Sequence, residues 1–182
     1  MKKLLTKLFI AAALVVSLSL NGCILDALNT LTQNIPISQT FTVNSSASSY
    51  TQSETIDLSN SDTYQRYADK IQEITFLRTE YRTQSVSPSD LSGNITLTLS
   101  DNAGNTLFTY PLGQIKPADY QTTPYELTLN STQIGSINAY LSTLSNKTFV
   151  ATISITNITS SSTPYNLVGV IDIVFQMKAK TS

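Results

Sequence analysis

The groups able to do chemistry in this chain are its carboxylates, its tyrosines and one cysteine, Cys23; histidine and tryptophan are absent. Without histidine there is no Ser-His-Asp or Cys-His catalysis, and the commonest zinc sites are excluded. Cys23 used as a nucleophile would have no base to activate it. A glycine-rich phosphate loop does not occur either. Paired carboxylates would serve a glycosidase. Glu73 and Glu80, however, stand an odd number of residues apart and face opposite sides of a regular strand. Asp57, Asp62 and Asp69 lie near a turn and a helix start, where capping accounts for them. The loop Asp101-Asn102-Ala103-Gly104-Asn105 alternates oxygen-bearing residues as a calcium loop does, without the bidentate glutamate or the spacing of an EF-hand. A hairpin turn uses the same residues for backbone reasons. The expectation is no enzymatic activity, no metal and no cofactor.

Binding groups are better represented. Arg78, Glu80 and Arg82 fall on one face of a strand, where they would meet an anionic partner or simply bridge one another. Tyr110, Tyr120, Tyr125 and Tyr165 lie at or near proline-containing loops, and Tyr50 lies in another loop. Tyrosines on such loops stack on sugars or anchor a protein partner; equally, a tryptophan-free core builds its rim from tyrosine. The first four are the candidate ligand-binding residues.

The elements that position these groups read mostly as strands. Ile35, Ile37, Phe41 and Val43 alternate with polar residues, and Glu54 to Leu58 is a short strand. Tyr64, Tyr67, Ala68 and Ile71 make the stripe of a short helix capped at Ser61 or Asp62. In QEITFLRTEYRTQ the period slips at Phe76-Leu77, Ile74 and Phe76 on one face and Leu77 and Tyr81 on the other, so a bulge or a doubly covered strand is expected. NITLTLS and TLFTYPL form a hairpin, with Asn102 and Gly104 supplying positive φ. Tyr125, Leu127 and Leu129 mark another strand. NSTQIGSINAYLSTLSN reads as a second helix with Ile134, Ile137, Leu141 and Leu144 as its stripe. Two long strands close the chain. In the last, Leu167 to Met177 forms an inner face, while Val168, Val170 and Val174 opposite it point to a central position. About eight strands, two short helices in connections and no β-α-β alternation predict an antiparallel two-sheet β-sandwich, immunoglobulin-like or jelly-roll-like. The alternative is an up-and-down β-barrel.

Cys23 is explained by what precedes it. MKKLLTK carries Lys2, Lys3 and Lys7 without an acid, and Leu8 to Leu20 is apolar except for Ser17 and Ser19. That is a secretory signal, and its apolar run is short of the about 20 residues a membrane span needs. Leu20-Asn21-Gly22-Cys23 resembles the lipobox of bacterial lipoproteins. The resemblance covers residues 1–23 and implies that the Cys23 sulfur takes a diacylglycerol, that cleavage falls before Cys23, and that the new amine is acylated, with palmitate for example. An ordinary signal cut elsewhere would instead leave Cys23 a stray thiol. Ile24, where retained lipoproteins carry aspartate, implies the outer membrane. Two or three chains anchor a protein stably where one does not.

The organisation that follows is a cleaved signal at 1–22, a lipidated N-terminus and tether at 23–34, and one domain at 35–182. The twelve acids all follow residue 22, and three of the eleven bases precede it, so the mature chain is mildly acidic, with no basic stripe for nucleic acid. The expected role is a non-enzymatic extracytoplasmic binding module on the cell envelope, held by lipid on Cys23, with a protein or glycan partner. The alternatives are a periplasmic structural or assembly accessory, a carboxylate-dependent glycan hydrolase, and a lipid carrier.

Overall fold

The computed structural model describes residues 29–181; Cys23, the lipobox and the first half of the tether lie outside them. Eight strands, β1 (Thr30–Ser45), β2 (Tyr50–Asp57), β3 (Ile71–Ser87), β4 (Ser92–Asp101), β5 (Thr106–Ile115), β6 (Tyr125–Glu126), β7 (Thr148–Thr159) and β8 (Tyr165–Lys180), are joined by two α-helices, α1 (Asp62–Tyr67) and α2 (Ser131–Leu141). Three 3-10 turns complete the connections, at Leu58–Asn60, Ala68–Lys70 and Pro117–Tyr120.

The strands form two antiparallel sheets with orders β1-β8-β3-β6 and β2-β7-β4-β5. Four of the pairings, β1 with β8, β2 with β7, β3 with β6 and β4 with β5, describe one long hairpin with its tip at β4–β5. Rolling that hairpin up adds the pairings β3–β8 and β4–β7. The result is the eight-stranded jelly-roll sandwich. It is not an up-and-down barrel, because apart from β4 and β5 no neighbouring strands are consecutive.

Alternation builds the core. On β8, Leu167, Ile171, Ile173, Phe175 and Met177 are all buried, and between β1 and β3 even the outer-face Val170 and Val174 are covered. Phe175 stacks on Phe149 of the opposite sheet at 5.4 Å and meets Phe76 edge-on at 6.3 Å. The Phe41 ring lies over Gly169, its partner across the β1–β8 ladder. A Cβ there would sit 2.1 Å from Phe41 Cζ, so only glycine admits the ring.

Several expectations are refined. β1 begins at Thr30, paired with Lys180, rather than at Ile35. The slip at Phe76-Leu77 is a bulge. Leu77 is the extra, exposed residue, and the phase resumes so that Thr79, Tyr81 and Thr83 face the core with Ile74 and Phe76. Tyr81 therefore does not share a face with Leu77. At the β4–β5 turn Gly104 takes φ 88° and Asn102 stays out of the left-handed region. Helix α1 stops at Tyr67, and Ile71 already belongs to β3. In α2, Ile137 and Leu141 are buried, whereas Leu144 lies beyond the helix end and is exposed.

Candidate functional site

One flank of the sandwich, between edge strands β5 and β6, collects tyrosines. Tyr110 stands on β5, Tyr120 ends the Pro117–Tyr120 turn, and Tyr125 opens β6. The Tyr120 and Tyr125 rings meet edge-on at 5.5 Å, and Tyr120 meets Tyr81 edge-on at 6.0 Å. Tyr81 in turn stacks on Phe41 at 6.2 Å. The neighbouring Tyr110 hydroxyl, with some burial, raises the Tyr125 pKa. Tyr110, Tyr120 and Tyr125 are half-buried, while Tyr81 at their inner end is fully buried. Burial pushes the Tyr81 pKa up to about 12, against the opposing pull of its 2.8 Å hydrogen bond with Thr83 and with a further push from Tyr120.

Local physics fixes this flank. β6 is only two residues long, with Tyr81↔Tyr125 and Glu80↔Glu126 in register. Beyond it Leu127 N–H donates to the Thr79 carbonyl at 2.9 Å. Helix α2 then does a strand's work with side chains. Phe76 N–H donates to Asn138 Oδ1 at 2.8 Å, and Gln133 Nε2 donates to the Thr109 carbonyl at 3.1 Å. The same Gln133 closes a capping box with Asn130. The edge backbone is thus partly satisfied from within the chain, which blunts strand addition on this side.

Of the four tyrosines singled out from sequence, three come together and Tyr165 does not. Tyr165 opens β8, is buried, and donates its hydroxyl to the Ala47 carbonyl at 2.6 Å, which ties the β1–β2 loop to the core. Tyr81 was not among the candidates. Its alternation with Thr79 and Thr83 was the signal, and the preceding bulge masked it. Tyr50 lies on the opposite flank, where its hydroxyl is 3.1 Å from the Thr42 carbonyl and 2.7 Å from Gln52 Oε1.

Several carboxylates are engaged in structure. Glu73 pairs with Lys178 at 2.7 Å, Glu80 with Arg78 at 2.8 Å, and Asp172 with Arg82 at 2.8 Å and with the Ser38 hydroxyl. Arg78, Glu80 and Arg82 do share a face, and it is a ladder of ion pairs. Asp57 caps the Leu58–Asn60 turn through Ser59. Both Asp101 oxygens are taken by the turn itself: Oδ1 accepts from Ala103 N–H at 2.9 Å and Asn105 N–H at 2.8 Å, and Oδ2 from Asn105 Nδ2 at 2.7 Å. The Asn105 side-chain bond comes first in holding that carboxyl below the usual range. Among the described residues no three His, Cys, Asp or Glu side chains are grouped to hold a metal.

No protein-family model matches this chain, and no curated protein matches it. Among solved structures it is similar to desmodium yellow mottle tymovirus, at 9% identity over 84% of this chain and 90% of that one, with a TM-score of 0.41. Turnip yellow mosaic virus gives 9% identity over 82% and 84%, with a TM-score of 0.38. Infectious bursal disease virus strain Gx gives 10% identity over 84% of this chain and 32% of that one, with a TM-score of 0.35.

Proposed function

We propose that this protein is a non-enzymatic binding module of the bacterial envelope, held by lipid on Cys23, which meets its ligand through the Tyr110–Tyr120–Tyr125 flank. The observation that carries the reading is the edge-on packing of the half-buried Tyr120 and Tyr125 rings, with Tyr110 beside Tyr125. Rings fixed by their neighbours lose little freedom on binding and present both an apolar plane and a hydroxyl.

The anchor and the fold combine into an orientation. Residues 24–29 separate Cys23 from β1, and so short a stretch reaches about 20 Å at most. Thr30 pairs with Lys180, so the termini share the anchored pole, and Ser45 pairs with Tyr165 at the other. Sixteen extended residues in β1 separate the two poles by about 50 Å.

Fractionation tests the anchor. Cys23→Ser is expected in the soluble extracytoplasmic fraction with an unchanged thermal melt. Persistence in salt-washed membranes overturns lipid anchoring. A Tyr120→Ala/Tyr125→Ala variant tests the flank separately, and unaltered capture of the native ligand by it refutes the platform.

A further inference from the structure

The two outer faces of the sandwich differ in kind. The β1-β8-β3-β6 face carries Glu73–Lys178, Arg78–Glu80 and Arg82–Asp172, the three salt bridges seen among the described residues. The β2-β7-β4-β5 face is built of hydroxyls. Register places Ser53, Thr152, Thr98 and Thr109 in one row across all four strands. The row on one side runs Thr51, Ser154, Thr96 and ends at Pro111. The row on the other runs Thr55, Val150, Ser100, Thr106. These three rows contain no charged residue. Across strands the hydroxyls pair, Ser53 with Thr152 at 2.8 Å, Thr51 with Ser154 at 3.3 Å and Thr98 with Thr109 at 3.3 Å.

Each pair of hydroxyls commits one of its two O–H groups and leaves the other O–H and further lone pairs open. The face is therefore a grid of mixed donors and acceptors, spaced about 4.8 Å across strands and about 6.7 Å along them. A charged polymer would lose hydration here and gain no counter-charge. A second copy of the chain does not suit it either. Four strands by three rows cover about 400 Å², about half of what each partner contributes to a stable interface. A neutral polyhydroxyl chain matches the chemistry. Exchanging water for a sugar hydroxyl gains little per contact, so a repeating polymer that engages many contacts at once suits it better than a single sugar. The middle row ends at Thr109 on edge strand β5; Tyr110, the next residue, points to the other side of the sheet, so the tyrosine flank lies around that same edge.

We infer that the β2-β7-β4-β5 face binds an uncharged polysaccharide laid across the strands towards Tyr110, Tyr120 and Tyr125. The inference rests on the binding-module reading and gives its ligand a chemical class.

Affinity electrophoresis of the full chain in mild detergent tests it, in native gels cast with a neutral β-glucan, a neutral galactomannan or acidic polygalacturonate. Retardation by at least one neutral polymer is expected, unchanged up to about 0.5 M salt because no ion pair is involved, with none by polygalacturonate. Thr96→Glu/Thr152→Glu is expected to weaken retardation about tenfold by setting carboxylates against an uncharged ligand. Thr98→Ala/Thr152→Ala, which adds no charge and keeps the fold, is expected to weaken it about threefold. Retardation by the acidic polymer alone, or by none of the three, overturns the inference. Retardation lost in Tyr120→Ala/Tyr125→Ala but kept in both threonine variants also overturns it, while leaving the tyrosine flank as the binding site.

Discussion

Replacing Gly169 with alanine puts a methyl group where the Phe41 ring already lies. The added Cβ would be 2.1 Å from Cζ, 2.6 Å from Cε1 and 2.7 Å from Cε2, far inside van der Waals contact. The obstacle is a buried ring, 2% exposed, so relief means shifting β1 or expelling the ring from the core. Overpacking of this kind costs about 1–3 kcal/mol, and full loss of the phenyl seat sets a ceiling of about 3–5 kcal/mol. We expect about 3 kcal/mol for Gly169→Ala. In a Phe41→Ala background the same substitution has nothing to strike. Alanine is also better than glycine in a strand by about 0.5 kcal/mol, so the change there is expected to be neutral or slightly stabilising. Urea unfolding followed by tyrosine emission, in a chain with nine tyrosines and no tryptophan, gives the four free energies of the cycle. Equal cost of Gly169→Ala in both backgrounds refutes the account.

Thr79 Oγ1 is buried without a hydrogen-bond partner in the protein, so Thr79→Val is expected to raise stability by about 1 kcal/mol; a loss in the same urea assay would mean that the hydroxyl is satisfied after all. Tyr81, pushed up to about 12 by burial, holds its proton more tightly folded than unfolded. Its contribution is complete below pH about 10 and drains away as pH rises towards 12, by up to about 3 kcal/mol. Unfolding free energies at about pH 9 and about pH 11.5 should show a shallower decline for Tyr81→Phe than for the parent, and parallel declines contradict the assignment.

What the sequence made legible was periodicity. The inner row of β8, with valines on its outer face, announced a central strand, and the slip at Phe76-Leu77 announced a bulge. Features set by distant partners were hidden. Tyr125 to Leu129 alternates as a strand should, yet β6 ends at Glu126. Phe76 N–H is taken by Asn138 on α2, some sixty residues later, and no local pattern reports that. Thr30 to Asn34 looked like a tether because its only apolar residues are Leu31 at one end and the following Ile35, while its pairing is supplied by residues 176–180. Tyr165 beside Pro164 read as a loop residue, but its hydroxyl finds the Ala47 carbonyl from the start of β8. The hydroxyl face was visible as composition and invisible as an array, since Ser53, Thr152, Thr98 and Thr109 meet only through register.

The rolled-hairpin topology also dictates an order of events in time. β4 and β5 sit next to each other in sequence and close through a turn at Asp101–Asn105. β1, in contrast, finds its ladder only on β8, with Thr30 waiting for Lys180. So much non-local pairing belongs to the slow end of two-state folding, in milliseconds to seconds. A chain that crosses a membrane N-terminus first would therefore carry β1 unpaired on both sides until its last strand emerges, and over that interval a holding chaperone has most to protect.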